Sequence, residues 1–224
     1  MKTNIIFVAL ALLVLIISAY FLITTIDRPE ADSPNQLIID YDPKLTNQAE
    51  TNNSVTPITT PENNLVPPIQ EFRERITLKP FGIYITPENS PVQPERFAGY
   101  HTGVDVEFTD TTEDIAVFAI SDGTVLTTQV VSGYGGVTVL RIEHNYEKII
   151  IIYGHLDPAR LPAKGKTVTT GEVIGYLGAG NTAQTDYERK HLHFGMYKNG
   201  SLDLRGYVAT PEELINWYDP LLFF

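Results

Sequence analysis

Five histidines, His101, His144, His155, His191 and His193, all lie in the C-terminal part of a 224-residue chain that contains no cysteine. Thiol catalysis, Cys-ligated zinc and disulfides are thereby removed, so any metal here must be held by imidazole and carboxylate. Two spacings make such a site possible. His101 and Asp105 are four residues apart, and on an extended segment positions four apart point to the same side. In His191-Leu-His193 the two-residue spacing puts both imidazoles on one face of a strand while Leu192 and Phe194 face the core. A catalytic zinc site usually takes three protein ligands and leaves a fourth position open, so His101, Asp105 and one of the two strand histidines complete a set. The other is left for proton transfer. Taken singly, a histidine is more often a satisfied core or surface residue than a ligand, and His144 is read as structural.

These side chains need strands to carry them. The runs 114–120 and 123–131 are β-branched and apolar, and Ser121-Asp122 between them predicts a hairpin. The runs 137–142 and 148–153 follow, broken by Gly135-Gly136 and by Asn145-Tyr146, and Gly171, Gly175, Gly178 and Gly180 punctuate later turns. The expected fold is mainly β, an antiparallel sandwich or open barrel, occupying residues 76–224. One short helix is predicted over 210–217, with Thr210 as N-cap and Pro211 in its first turn.

Upstream the composition changes twice. Residues 5–26 are almost wholly apolar, a length that suits a bilayer span. Cleavage after Ala19 would put Ile17 where a small residue is wanted, so residues 1–28 are read as an uncleaved transmembrane anchor. Its N-terminus is expected in the cytoplasm, on the strength of the terminal amine, since Lys2 and Arg28 nearly balance. Residues 29–75 are rich in Asn, Thr, Pro and Gln and read as a disordered polar linker. The net charge of −11 argues against nucleic acid as a partner, because phosphate binding needs clustered Lys and Arg.

Gly99-Tyr-His-Thr-Gly-Val-Asp105, Tyr153-Gly-His-Leu156 and His191-Leu-His-Phe194, in that order, resemble the motifs of the lysostaphin-type (LytM-type) zinc endopeptidases of peptidoglycan. The resemblance runs from about Phe97 to Tyr197 and includes Ser121-Asp-Gly-Thr-Val125, the Gly133-Tyr-Gly135 turn and Thr170-Gly-Glu-Val-Ile-Gly175. It implies that His101, Asp105 and His193 bind Zn2+, and that His155 and His191 are the unligated catalytic histidines. Two places depart from the pattern. Residues 181–190 are longer and more charged than the usual approach to His-Leu-His, and Glu107 stands where a small residue is usual. Glu107 would share the ligand face, but is read as a carboxylate outside the site.

The expected function is a membrane-tethered zinc metalloendopeptidase, its domain outside the cytoplasm, hydrolysing peptide cross-links or stem peptides of peptidoglycan as a monomer. With no His-Glu-x-x-His helix, His155 and His191 are left to carry the proton work, and Tyr100 and Tyr187 are weaker candidates for hydrogen bonding in the transition state. The alternatives are a catalytically silent scaffold of the same fold, which would have lost ligands, and a carbohydrate-binding β module, which leaves the His101, Asp105 and His193 set unexplained.

Overall fold

The computed structural model describes residues 65–198 and 201–224, all within one compact unit, Pro57–Phe224. The expected anchor and most of the expected linker lie outside the described residues. Among the described residues, no helix is long and apolar enough to cross a membrane.

Twelve strands are described: β1 (Tyr84–Ile85), β2 (Gly99–His101), β3 (Gly103–Glu107), β4 (Ala116–Phe118), β5 (Gly123–Val131), β6 (Gly135–His144), β7 (Glu147–Leu156), β8 (Thr167–Val168), β9 (Val173–Tyr176), β10 (His191–Tyr197), β11 (Tyr207–Val208) and β12 (Trp217–Tyr218). They form an antiparallel seven-stranded sheet in the order β12-β10-β7-β6-β5-β8, with β3 also on β10, beside a β1-β2-β11 sheet and a β4-β9 pair. The mainly β, antiparallel expectation therefore holds. The large sheet is open at both edges, so no barrel closes.

β7 shows why its sequence is a continuous apolar run. Ile149, Ile151 and Tyr153 join one buried cluster with Leu192, Phe194 and Val106, while Ile150 and Ile152 join another with Val137, Val139 and Trp217. A strand covered on both faces needs no polar alternation. The β6–β7 hairpin turns at Asn145-Tyr146, both at positive φ (50° and 65°), the backbone of a two-residue type I′ connection whose twist matches its strands.

Three expectations are corrected. The runs 114–120 and 123–131 do not form a hairpin: β4 pairs with β9, and β5 pairs with β6 and β8. Asp122, expected in a tight turn, instead uses its carboxylate to accept from the Thr170 amide (2.7 Å) and hydroxyl (2.9 Å), tying the crossover to the loop before β9. The packed region also begins ahead of residue 76. Ile69 and Phe72 are core residues, and Pro68 and Ile120 carbonyls accept from Phe118 and Val66 amides. The helix, α1 (Pro211–Leu214), has the expected Thr210 cap but stops short, because Trp217 enters β12 and fills the second cluster.

Candidate metal and catalytic site

The site is built across β3, β10 and β7. In the β3–β10 ladder, Asp105 lies opposite His193 and Glu107 opposite His191. Alternation then sends Val104, Val106, Leu192 and Phe194 to the core and the four polar side chains to the other face. His101, at the end of β2, reaches the same point. Its Nε2 is 3.1 Å from His193 Nδ1 and 3.3 Å from Asp105 Oδ1, and His193 Nδ1 is 3.2 Å from that oxygen. All three residues are buried.

That triangle fits a metal. Ligand bonds of about 2.0–2.1 Å in tetrahedral geometry put ligand atoms about 3.3 Å apart. The far nitrogens of both imidazoles are also occupied, as second-layer partners of a metal site require: His101 Nδ1 is 3.2 Å from the Pro80 carbonyl, and His193 Nε2 is 3.3 Å from the Tyr134 hydroxyl. Donation outward from those nitrogens leaves His101 Nε2 and His193 Nδ1 as lone pairs facing Asp105. Burial alone would raise the Asp105 carboxyl; in the metal-free site, imidazole protons turned toward it instead outweigh burial and hold its pKa well below the usual value.

His155 and His191 stand beside the triangle, their rings 4.1 Å apart. Each has Nδ1 against a carbonyl of the 181–190 stretch: His155 on Thr185 (3.3 Å) and His191 on Arg189 (2.9 Å). An Nδ1–H donated there leaves Nε2 as the basic nitrogen. His191 Nε2 lies 3.4 Å from Asp105 Oδ2. His155 holds φ at +62°, where the β6–β7 register shifts between Gly136 and Thr138 and turns this residue out of the ladder. A non-glycine residue in that region costs backbone energy and is held there by its surroundings. Burial pushes the His155 imidazole down to about 3 and the His191 imidazole well below its ordinary value, so both are neutral bases near pH 7.

A cavity of about 310 Å3 opens over these groups, lined also by Lys79, Tyr134, Arg189 and Tyr207. Lys79 is buried and paired with Glu95 at 2.6 Å, and the Tyr207 ring stacks on His101 at 5.1 Å. The structure thus brings together His101, Asp105, His155, His191 and His193. It does not bring in Tyr100, which packs on Tyr84, or Tyr187, which is exposed; the tyrosine in contact is Tyr134. His144 sits against Phe223, away from the cluster. Glu107, expected outside the site, is buried and receives the Arg189 guanidinium, whose Nη2 also donates to Asp105 Oδ2 (2.9 Å). Arg189 carries a signal that two-residue strand spacing could have supplied: it precedes His191 by two, as Glu107 follows Asp105 by two.

The family model that matches is peptidase family M23, over residues 99–203. Among solved structures, LytU is 27% identical over 66% of this chain and 83% of that one (TM-score 0.46). Csd3 of Helicobacter pylori is 28% identical over 66% of this chain and 35% of that one (TM-score 0.41). A zinc-containing peptidase from Vibrio cholerae is 24% identical over 64% and 41% (TM-score 0.40). No curated protein sequence matches. With the motifs in order inside the matched span, residues 99–203 form a peptidase family M23 domain, the family of the lysostaphin/LytM-type resemblance.

Proposed function

We propose that this chain is a zinc metalloendopeptidase that hydrolyses peptide cross-links or stem peptides of peptidoglycan. The observation that carries the reading is the three-atom triangle of His101, Asp105 and His193 next to two histidines whose Nδ1 atoms are held by backbone carbonyls. A zinc ion held by that triangle would supply Lewis acidity, polarising the scissile carbonyl and acidifying a water.

The chain's own residues do the rest. His155 and His191, neutral and oriented through Nδ1, accept the proton of the attacking water at Nε2 and return it to the leaving amine. A proton on His191 Nε2 is stabilised by Asp105 Oδ2 at 3.4 Å. The Tyr134 oxygen, accepting from His193 Nε2–H, keeps its own O–H to donate to the carbonyl oxygen as negative charge develops. The silent-scaffold alternative has no lost ligand to support it.

The remaining elements of the proposal are an anchor at residues 5–26, with the catalytic domain extracytoplasmic and monomeric; their support is the apolar run itself and a substrate found only outside the cytoplasm. The test is digestion of purified peptidoglycan by the full chain, with mass analysis of the released peptides. New amine and carboxylate ends at one peptide bond, abolished by a chelator and restored by zinc, are expected. Intact peptidoglycan of every chemotype would overturn the reading.

A further inference from the structure

The geometry points to Arg189 as a positioning residue of the metal site, which locks the Asp105 carboxylate so that Oδ1 alone is presented to the ion; this rests on the zinc reading above. Arg189 Nη2 donates to Asp105 Oδ2 at 2.9 Å, while Nε donates to Glu107 Oε2 at 2.8 Å and Nη2 also reaches Glu107 Oε1. Both ends of this strut are fixed. Glu107 is the ladder partner of His191. Its amide donates to the Arg75 carbonyl and its carbonyl accepts from Arg75 Nη1 at 3.0 Å.

A carboxylate ligand can rotate between presenting one oxygen and two. Here rotation would break the bond to Oδ2 and leave part of a guanidinium unpaired, in a side chain only 10% exposed, which a buried ion pair resists strongly. Oδ1 therefore stays in the triangle, and a bound ion would be left an open position instead of a fourth protein atom. Glu107 has a second consequence. Asp105 and Glu107 with Arg189 sum to one negative charge, the same as a lone aspartate, so the clamp fixes geometry without reducing the attraction for a dication. This explains a carboxylate at position 107, two residues from a ligand and on its face.

Charge and positioning make opposite predictions. Arg189→Gln removes a cation next to a metal site, so a purely electrostatic role predicts tighter zinc binding. A positioning role predicts weaker binding, by about 10–100-fold as found when outer partners of metal ligands are lost. The measurement is zinc affinity of the full chain by competition with a chromophoric chelator, beside the visible spectrum of the cobalt-substituted protein. Arg189→Gln should weaken binding and reduce the intensity of the cobalt bands as the freed carboxylate raises the coordination number. Arg189→Lys, a point charge that cannot span both carboxylates, keeps the charge and should fall between it and the wild type; it carries the test if Arg189→Gln fails to fold. Wild-type or tighter affinity with an unchanged cobalt spectrum overturns the inference. A wild-type chain that binds zinc but leaves peptidoglycan intact counts against the peptidase reading alone.

Discussion

At the scale of residues, what matters is which nitrogen of each imidazole is left free. His101 presents Nε2 and His193 presents Nδ1 because their other nitrogens meet Pro80 and Tyr134; His155 and His191 present Nε2 because carbonyls hold Nδ1. The strand spacing of His191 and His193 was legible in sequence, since alternation alone puts both on one face. The carbonyl partners were not, because any residue type offers one. Two outcomes follow at this scale. Tyr134→Phe removes the outer partner of His193, so zinc should bind about 10–100-fold more weakly, and at saturating zinc kcat should fall on the order of 10² to 10³, the cost of one oxyanion donor, read from zinc affinity beside hydrolysis rate. In the metal-free protein, His155 is folded with its pKa depressed to about 3 from 6.5. Between those values the unfolded chain binds a proton that the folded chain does not, so stability is full above about pH 6.5 and falls as the pH drops through that window. His155→Gln should remove up to about 1.4 kcal/mol per pH unit of that slope, measured by urea unfolding between pH 7 and 4.

At the scale of elements, the site depends on the segment that departs from the family pattern. Residues 181–190 supply the Thr185 carbonyl, the Arg189 carbonyl and the Arg189 side chain. Their own shape is set by Thr185, whose hydroxyl donates to the Glu188 carbonyl at 2.7 Å, and by Asp186, which accepts from the Gly133 amide at 2.6 Å and from Arg96. The charge in this stretch was visible in sequence, but its targets are residues about 50 to 90 positions away, which no local pattern reveals. The 121–122 turn failed for a similar reason: Asp122 found its partner in Thr170. Gly135 joins β6 to this segment with φ at +68°, and a Cβ there would lie 1.9 Å from the Gln184 carbonyl oxygen. Gly135→Ala should cost on the order of 2 kcal/mol or more, from left-handed backbone plus the clash. It should also displace the Thr185 carbonyl and lower kcat while zinc remains bound, as checked by denaturation midpoint and zinc content together.

At the scale of the molecule, the histidine face rests on a core that extends further upstream than composition suggested. Phe72 meets Phe194 and Phe224 edge-on at 5.7 and 5.0 Å, on the core side of the strand that carries His191 and His193. Pro67-Pro68 and the charged run 71–75 hid this, although Leu65, Ile69, Phe72 and Ile76 are spaced three to four apart and all reach the core. A fragment beginning at residue 76 should therefore be markedly less stable than one beginning at residue 57, and Phe72→Ala alone should cost about 3–5 kcal/mol, measured by denaturant unfolding. The central claim divides the histidines between two jobs, and zinc content measured beside peptidoglycan hydrolysis tests it most directly. His101→Ala, Asp105→Ala and His193→Ala should lose zinc and activity together. His155→Ala and His191→Ala should keep about one zinc per chain and lose on the order of 10² to 10⁴ in rate. Zinc lost from His191→Ala but retained in His193→Ala would reverse the two strand histidines, and normal cleavage by all five variants would contradict the account.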